Sequence, residues 1–173
     1  MDWCNKDVKN YSTGFKYLHW LVAVLVLGML GLGFFLADLP KEMKVQAYML
    51  HKSIGLTILC LMLVRVVWIV LSGKPKLPDA TPKWEGYLAS LVQYGLYLFL
   101  ISMALSGWLM ATASNKIPVY FNWFSVPFPG LSPNEKIADW MYSTHGVIAW
   151  ILLGLVGLHI AGALKHWLIQ KDD

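Results

Sequence analysis

His145–Leu168 reads HGVIAWILLGLVGLHIAGALKHWL, a run with one lysine, three histidines and no acid. A stretch this long and apolar exceeds the ~20 residues that cross the hydrocarbon core of a bilayer. No water is available there to take up backbone N–H and C=O groups, so the run spans as a helix. An ionisable side chain inside such a helix is costly and marks function. His145 and His159 are fourteen residues apart. That is close to four whole turns, so both rings lie on one face, about 21 Å apart along the axis. One helix thus offers an imidazole at each of two depths.

Three further apolar segments precede it. The four predicted spans cover about residues 17–37, 45–71, 84–111 and 137–168. Together they predict an all-α fold, an integral membrane four-helix bundle, as a single domain over residues 1–173. Composition agrees: 57% of residues are hydrophobic, 14% are charged, and the mean hydropathy is +0.54. A soluble domain of this length needs more polar surface. The net charge of +4 does not point to nucleic acid, because the lysines sit between the apolar runs, where they set topology.

The connections differ. Residues 38–44 form a short turn with Pro40. Residues 72–83 (SGKPKLPDATPK) read as an extended polar loop. Residues 114–136 (SNKIPVYFNWFSVPFPGLSPNEK) are too aromatic for a free linker. Tyr and Trp favour the membrane interface, where this segment is expected to lie. Lys6, Lys9, Lys16, Lys74, Lys76, Lys83, Lys165 and Lys171 fall on one side, with Arg65 at the helix end. Lys41, Lys44, Lys116 and Lys136 fall on the other, with Lys52 just inside a helix. The positive-inside rule then places both termini in the cytoplasm. The lysines before the first run give it the look of a signal-anchor, too long for a cleaved signal.

All five histidines, His19, His51, His145, His159 and His166, lie in or at the ends of the apolar segments. Singly, each reads equally as a packed histidine bonded to a neighbouring helix. Depth favours pairs. At ~1.5 Å per residue, His51 and His145 lie roughly 9 and 12 Å below the outer end of their helices. By the same arithmetic His19 and His159 lie roughly 27 and 33 Å deep. Pairing His19 with His145 fails by about 15 Å. Two imidazoles facing each other are a common axial ligand set for haem iron, closed and suited to electron transfer. The expected pairs are His51–His145 and His19–His159, one for each of two haem b groups. The two cysteines, Cys4 and Cys60, form no CxxCH motif, so no haem is covalently attached. Tetrahedral zinc needs its ligands at one point, and these are spread over two depths.

Other residues carry two readings each. Gly33, fourteen residues after His19, leaves room for a macrocycle or serves close helix packing. Arg65, fourteen after His51, pairs with a haem propionate or snorkels to the interface. Lys52 has the same alternatives at the outer end. The third helix has no histidine and no charge from Gly86 to Thr112, and is expected to complete the bundle without ligating.

The sequence resembles the bacterial cytochrome b561 family of compact dihaem membrane cytochromes. The elements carrying the resemblance are LHW (His19), LHKSIG (His51), VRVVW (Arg65), ISMALSGWLMATASNKIPVYFNWFSVP, and the quoted run with His145, His159 and His166. It covers nearly the whole chain. It implies that His19, His51, His145 and His159 are axial haem ligands, and that quinone, ubiquinone in particular, is a redox partner in the bacterial inner membrane. One branch of the family is similar to a superoxide oxidase that passes electrons to ubiquinone. Steering of superoxide favours a positive outer mouth, yet Lys41, Lys44, Lys52, Lys116 and Lys136 are offset by Asp38, Glu42, Glu135 and Asp139. His166 reads as a quinone or proton site, or as an interfacial histidine beside Lys165 and Trp167.

The leading functional reading is a dihaem oxidoreductase exchanging electrons with quinone. The alternative is a non-catalytic electron-transfer subunit or anchor for a separate dehydrogenase or periplasmic redox protein. A haem-free transporter fits poorly, since no helix is broken and no Asp or Glu lies at mid-membrane.

Overall fold

The computed structural model describes residues 12–73, 82–165 and 167–168. Four helices run through them: α1 (Thr13–Phe35), α2 (Lys41–Ser72), α3 (Lys83–Ala113) and α4 (Glu135–Lys165). Each is long and apolar enough to cross a membrane. The fold is all-α and the protein spans the membrane several times.

α2, α3 and α4 extend beyond the apolar runs at the end of the bundle opposite Thr13, the outer end in the orientation expected above, whereas α1 stops there at Phe35. α2 begins at Lys41, directly after Pro40, and not near Val45. Its first turn is polar (KEMK), but charged side chains suit a turn that projects into water. Glu42 also complements the partial positive charge of the helix N-terminus. α4 likewise begins at Glu135. α2 stops at Gly73, whose φ of 79° is a conformation glycine adopts without steric cost. Its N–H bonds to the Ile69 carbonyl at 3.0 Å.

The third connection carries structure of its own. β1 (Val119–Tyr120) and β2 (Phe124–Ser125) pair antiparallel, with Val119 opposite Ser125 and Tyr120 opposite Phe124. The Trp123 N–H bonds to the Tyr120 carbonyl at 2.8 Å. Phe121 and Asn122 between them have φ of 44° and 64°, the geometry of a type I′ turn. Asn tolerates that region; a bulky aromatic there needs outside support. The support is Ser53 of α2, fully buried, whose Oγ accepts from the Phe121 N–H at 2.9 Å. The Trp108 indole N–H bonds to the Val126 carbonyl at 2.8 Å, and Thr112 Oγ1 accepts from the Phe128 N–H at 3.0 Å. The segment is therefore strapped across the outer ends of α2 and α3.

The packing is lopsided. α3 packs most extensively along α4, and α2 packs against α1 and α3. Neither α1 nor α2 packs comparably along α4 among the described residues. Val22, Val26, Ile58 and Met62 form the buried centre, with Ile101, Val156 and others against it. Large apolar side chains such as Trp20, Val67, Leu91 and Trp150 point outward, as lipid-facing residues must.

Candidate functional site

The space where α4 stands off α1 and α2 is bridged by histidines. At the outer level, the rings of His51 and His145 have centroids 6.2 Å apart and planes inclined at 67°. At the inner level, the rings of His19 and His159 have centroids 6.0 Å apart and planes inclined at 73°. The structure brings the four predicted residues together two by two, in the predicted combinations. α4 contributes one ring to each level. Leu152, seven residues from either of them, is fully buried and separates the two.

The separations test whether iron porphyrin suits these residues. Two imidazoles bound on opposite faces of one metal, each at about 2 Å through a ring nitrogen, place their centroids roughly 6 Å apart. Edge-to-face ring contact also spans these distances, so the separations are compatible with an intervening metal and the matched pair at each of two levels gives them weight. Among the described residues, no three of His, Cys, Asp and Glu converge as a metal cluster would require. Nδ1 of His51 is buried with no hydrogen-bond partner, a costly state for an imidazole nitrogen unless something else meets the ring. The donor set fits a haem at each level.

The surroundings of the two levels differ. At the outer level, Ser106 Oγ of α3 lies 3.0 Å from His145 Nδ1 and donates to the Met103 carbonyl at 2.9 Å. A Cβ on Gly107 would stand 3.0 Å from His145 Cε1, so this glycine is a close seat for the ring. Gly33 of α1 faces His51, where a Cβ would meet Cε1 at 3.5 Å. Lys52 Nζ donates to the Lys116 carbonyl at 2.8 Å, so one of its three donors ties down the outer strap.

At the inner level, Arg65 turns inward instead of snorkelling. Its Nη1 lies 2.7 Å from His19 Nδ1, its Nε donates to the Tyr97 hydroxyl at 2.9 Å, and it stacks over Phe15 at 4.8 Å. A guanidinium only donates, so His19 Nδ1 accepts and the ring proton sits on Nε2. No acidic side chain pairs with Arg65 among the described residues. Below it, Lys165 Nζ meets Glu85 Oε1 at 2.6 Å, joining α4 to α3. His166 lies outside the described residues, as do Cys4 and the lysines at positions 6, 9, 74, 76 and 171.

Sequence reasoning missed the contribution of α3. It carries no histidine, yet Tyr97 and Ser106 reach one level each. Their depths were available from the sequence, but their rotation about the helix axis was not.

The prokaryotic cytochrome b561 family matches residues 10–173. Cytochrome b561 homolog 2 of Escherichia coli (strain K12) is 37% identical over 158 residues, covering 90% of this chain and 83% of the relative. Cytochrome b561 homolog 1 of the same organism is 28% identical over 163 residues, covering 91% and 89%. The probable superoxide oxidase CybB of Yersinia pestis is 26% identical over 166 residues, covering 95% and 93%.

Proposed function

The chain belongs to the prokaryotic cytochrome b561 family, a family of membrane electron-transfer proteins holding b-type haem, and we propose that this member binds two haems and exchanges electrons with the quinone pool of the bacterial inner membrane. His51 and His145 hold one group near the outer face. His19 and His159 hold the other near the cytoplasm, where both termini lie. The observation that carries this reading is the pair of facing imidazoles at each of two levels, 6.2 and 6.0 Å apart, on one shared helix. When bound, a bis-imidazole haem supplies a closed iron that cycles between ferric and ferrous states.

The chain's own residues do the rest. α4 fixes the two levels relative to each other. Leu152 and the Val26, Ile58 and Met62 cluster keep water from the space between them. Arg65 is the single arginine of the chain, and an unpaired guanidinium is expensive at this depth. It pairs with a propionate of the inner group, exchanging His19 Nδ1 for a carboxylate. Lys52 has two donors left for the outer group.

The redox couple we assign is superoxide at the outer face and ubiquinone as acceptor. Two superoxide ions each lose one electron to give dioxygen. The quinone takes both electrons and two protons to give the quinol. The Yersinia pestis relative's name supports this assignment.

Three measurements test the reading. Purified protein should carry two haems with a low-spin spectrum. His145→Ala and the double variant His51→Ala/His145→Ala should each lose one haem, whereas His145→Ala/His159→Ala should lose both. If the wild type is colourless, or the first double variant loses two haems, the paired wiring is wrong. In stopped flow, superoxide should reduce the protein, and quinone should reoxidise it. Absence of that reaction, with both haems bound, would favour the anchor reading. The exposed aromatic tip of the outer hairpin, Trp123 and Phe124, offers a docked periplasmic partner a surface.

A further inference from the structure

Ser106 has one hydroxyl proton, and the Met103 carbonyl three residues back takes it at 2.9 Å. That internal bond is the ordinary resting state of a serine in a helix. It leaves Oγ with its lone pairs towards α4. With that proton on the Met103 carbonyl, Oγ can accept from His145 Nδ1, 3.0 Å away. The Met103 carbonyl, which only accepts, also bonds to His145, and this arrangement puts the ring proton on Nδ1. Nε2 is then the nitrogen with the free lone pair. Ser106 is 4% exposed, so no water competes for the contact. Gly107, next in the chain, is the only residue type that lets the ring come this close. Its missing Cβ would stand 3.0 Å from Cε1 and 3.3 Å from Nδ1.

The inner level differs. There His19 Nδ1 lies 2.7 Å from the Arg65 guanidinium, a contact that gives way to the propionate pairing proposed above, and what remains beside the inner group is the positive charge of Arg65.

We propose that Ser106 is a positioning residue that fixes His145 as its Nδ1–H tautomer and, by accepting that proton, sets the outer haem to the lower reduction potential of the two. This rests on the dihaem reading. An acceptor behind the ring raises the basicity of the ligating nitrogen, which stabilises ferric over ferrous iron. α3 thus tunes a site to which it supplies no ligand.

The test is a potentiometric titration of the haem-loaded protein with Ser106→Ala and Ser106→Cys. Both replacements are small enough for the same space. Sulfur is a weak acceptor and a methyl group is none. One of the two haem components should shift to higher potential in the order wild type, Ser106→Cys, Ser106→Ala, while the other stays in place. The low-spin ferric signal of the shifted component should change with it. If both potentials stay at their wild-type values in both variants, or if both components move together, the proposal is overturned. Should Ser106→Ala drop the outer haem, Ser106→Cys still gives the reading. A wild type without two haems would refute the dihaem reading; two haems with unmoved potentials would refute only the role of Ser106.

Discussion

Gly107→Ala adds one carbon at a close approach of α3 to the His145 ring. The new Cβ would stand 3.0 Å from His145 Cε1 and 3.3 Å from Nδ1. Ordinary contact between carbon atoms needs about 3.5–4.0 Å, so the ring must retreat by roughly 0.5 Å or more. The helices cannot easily separate to absorb this, because α3 and α4 share the most extensive interface of the bundle. The ring moves instead, away from Ser106 and towards His51, into the space a haem would fill. Overpacking of this kind costs about 1–3 kcal/mol. At ~1.4 kcal/mol per factor of ten, the outer haem should be held roughly fivefold to a hundredfold more weakly. Haem transfer to an excess of scavenging apo-globin measures this directly. One of two haems should leave faster, and the other serves as internal control for folding. If both leave at the wild-type rate with an unchanged low-spin spectrum, the close seat of His145 is not what holds the outer group.

Gly33→Ala should be tolerated by the protein's own packing, since its nearest atom, His51 Cε1, would be 3.5 Å away. Loss of the outer haem from that variant in the same transfer assay would show that the macrocycle, and not the helices, needs the space. Arg65→Gln removes the guanidinium from His19 and Tyr97, so the inner haem's potential should fall while the outer one holds; an unmoved inner potential in redox titration would sink this account. Ser53→Ala strands the Phe121 N–H that Ser53 accepts and should cost about 1–3 kcal/mol. A lower Tm and faster proteolysis within residues 117–126 are expected, and wild-type values of both would refute it.

The histidine pairing was legible because depth is a one-dimensional quantity. Counting residues along each span gives it, and the fourteen-residue interval on α4 fixes the face as well. What lay across the bundle was not legible in the same way. Ser106 is seven residues below the end of α3 at Ala113, and His145 ten below the start of α4 at Glu135, so their levels nearly agree. A serine in such a helix usually satisfies itself on its own backbone, and nothing in the sequence says that it also faces a neighbour. Arg65 was placed at the correct level, but which way it turned depended on Tyr97 and Phe15, contacts made between three different helices. The outer hairpin escaped notice because two-residue strands leave no period to read, and Phe at a left-handed position runs against local preference. Only the buried Ser53, distant in sequence, makes that turn acceptable.

The different surroundings of the two levels bear on direction. In the proposed orientation an electron entering at the outer pair moves inward over about 21 Å of a ~30 Å core, against an inside-negative potential. At ~100 mV that is uphill by roughly 1.6 kcal/mol, taking ~2.3 kcal/mol for the full crossing. Inward flow therefore needs an inner site that attracts the electron more strongly than the outer one. The acceptor behind His145 favours the oxidised state outside. The positive charge of Arg65 beside the inner group favours the reduced state there, and the low-dielectric surroundings strengthen its effect. Both second-layer contacts push the potentials apart in the sense that inward transfer requires. A protein built to carry electrons outward would gain from exchanging them. The geometry behind the ligands, rather than the ligands themselves, thus favours inward over outward transfer in the proposed wiring.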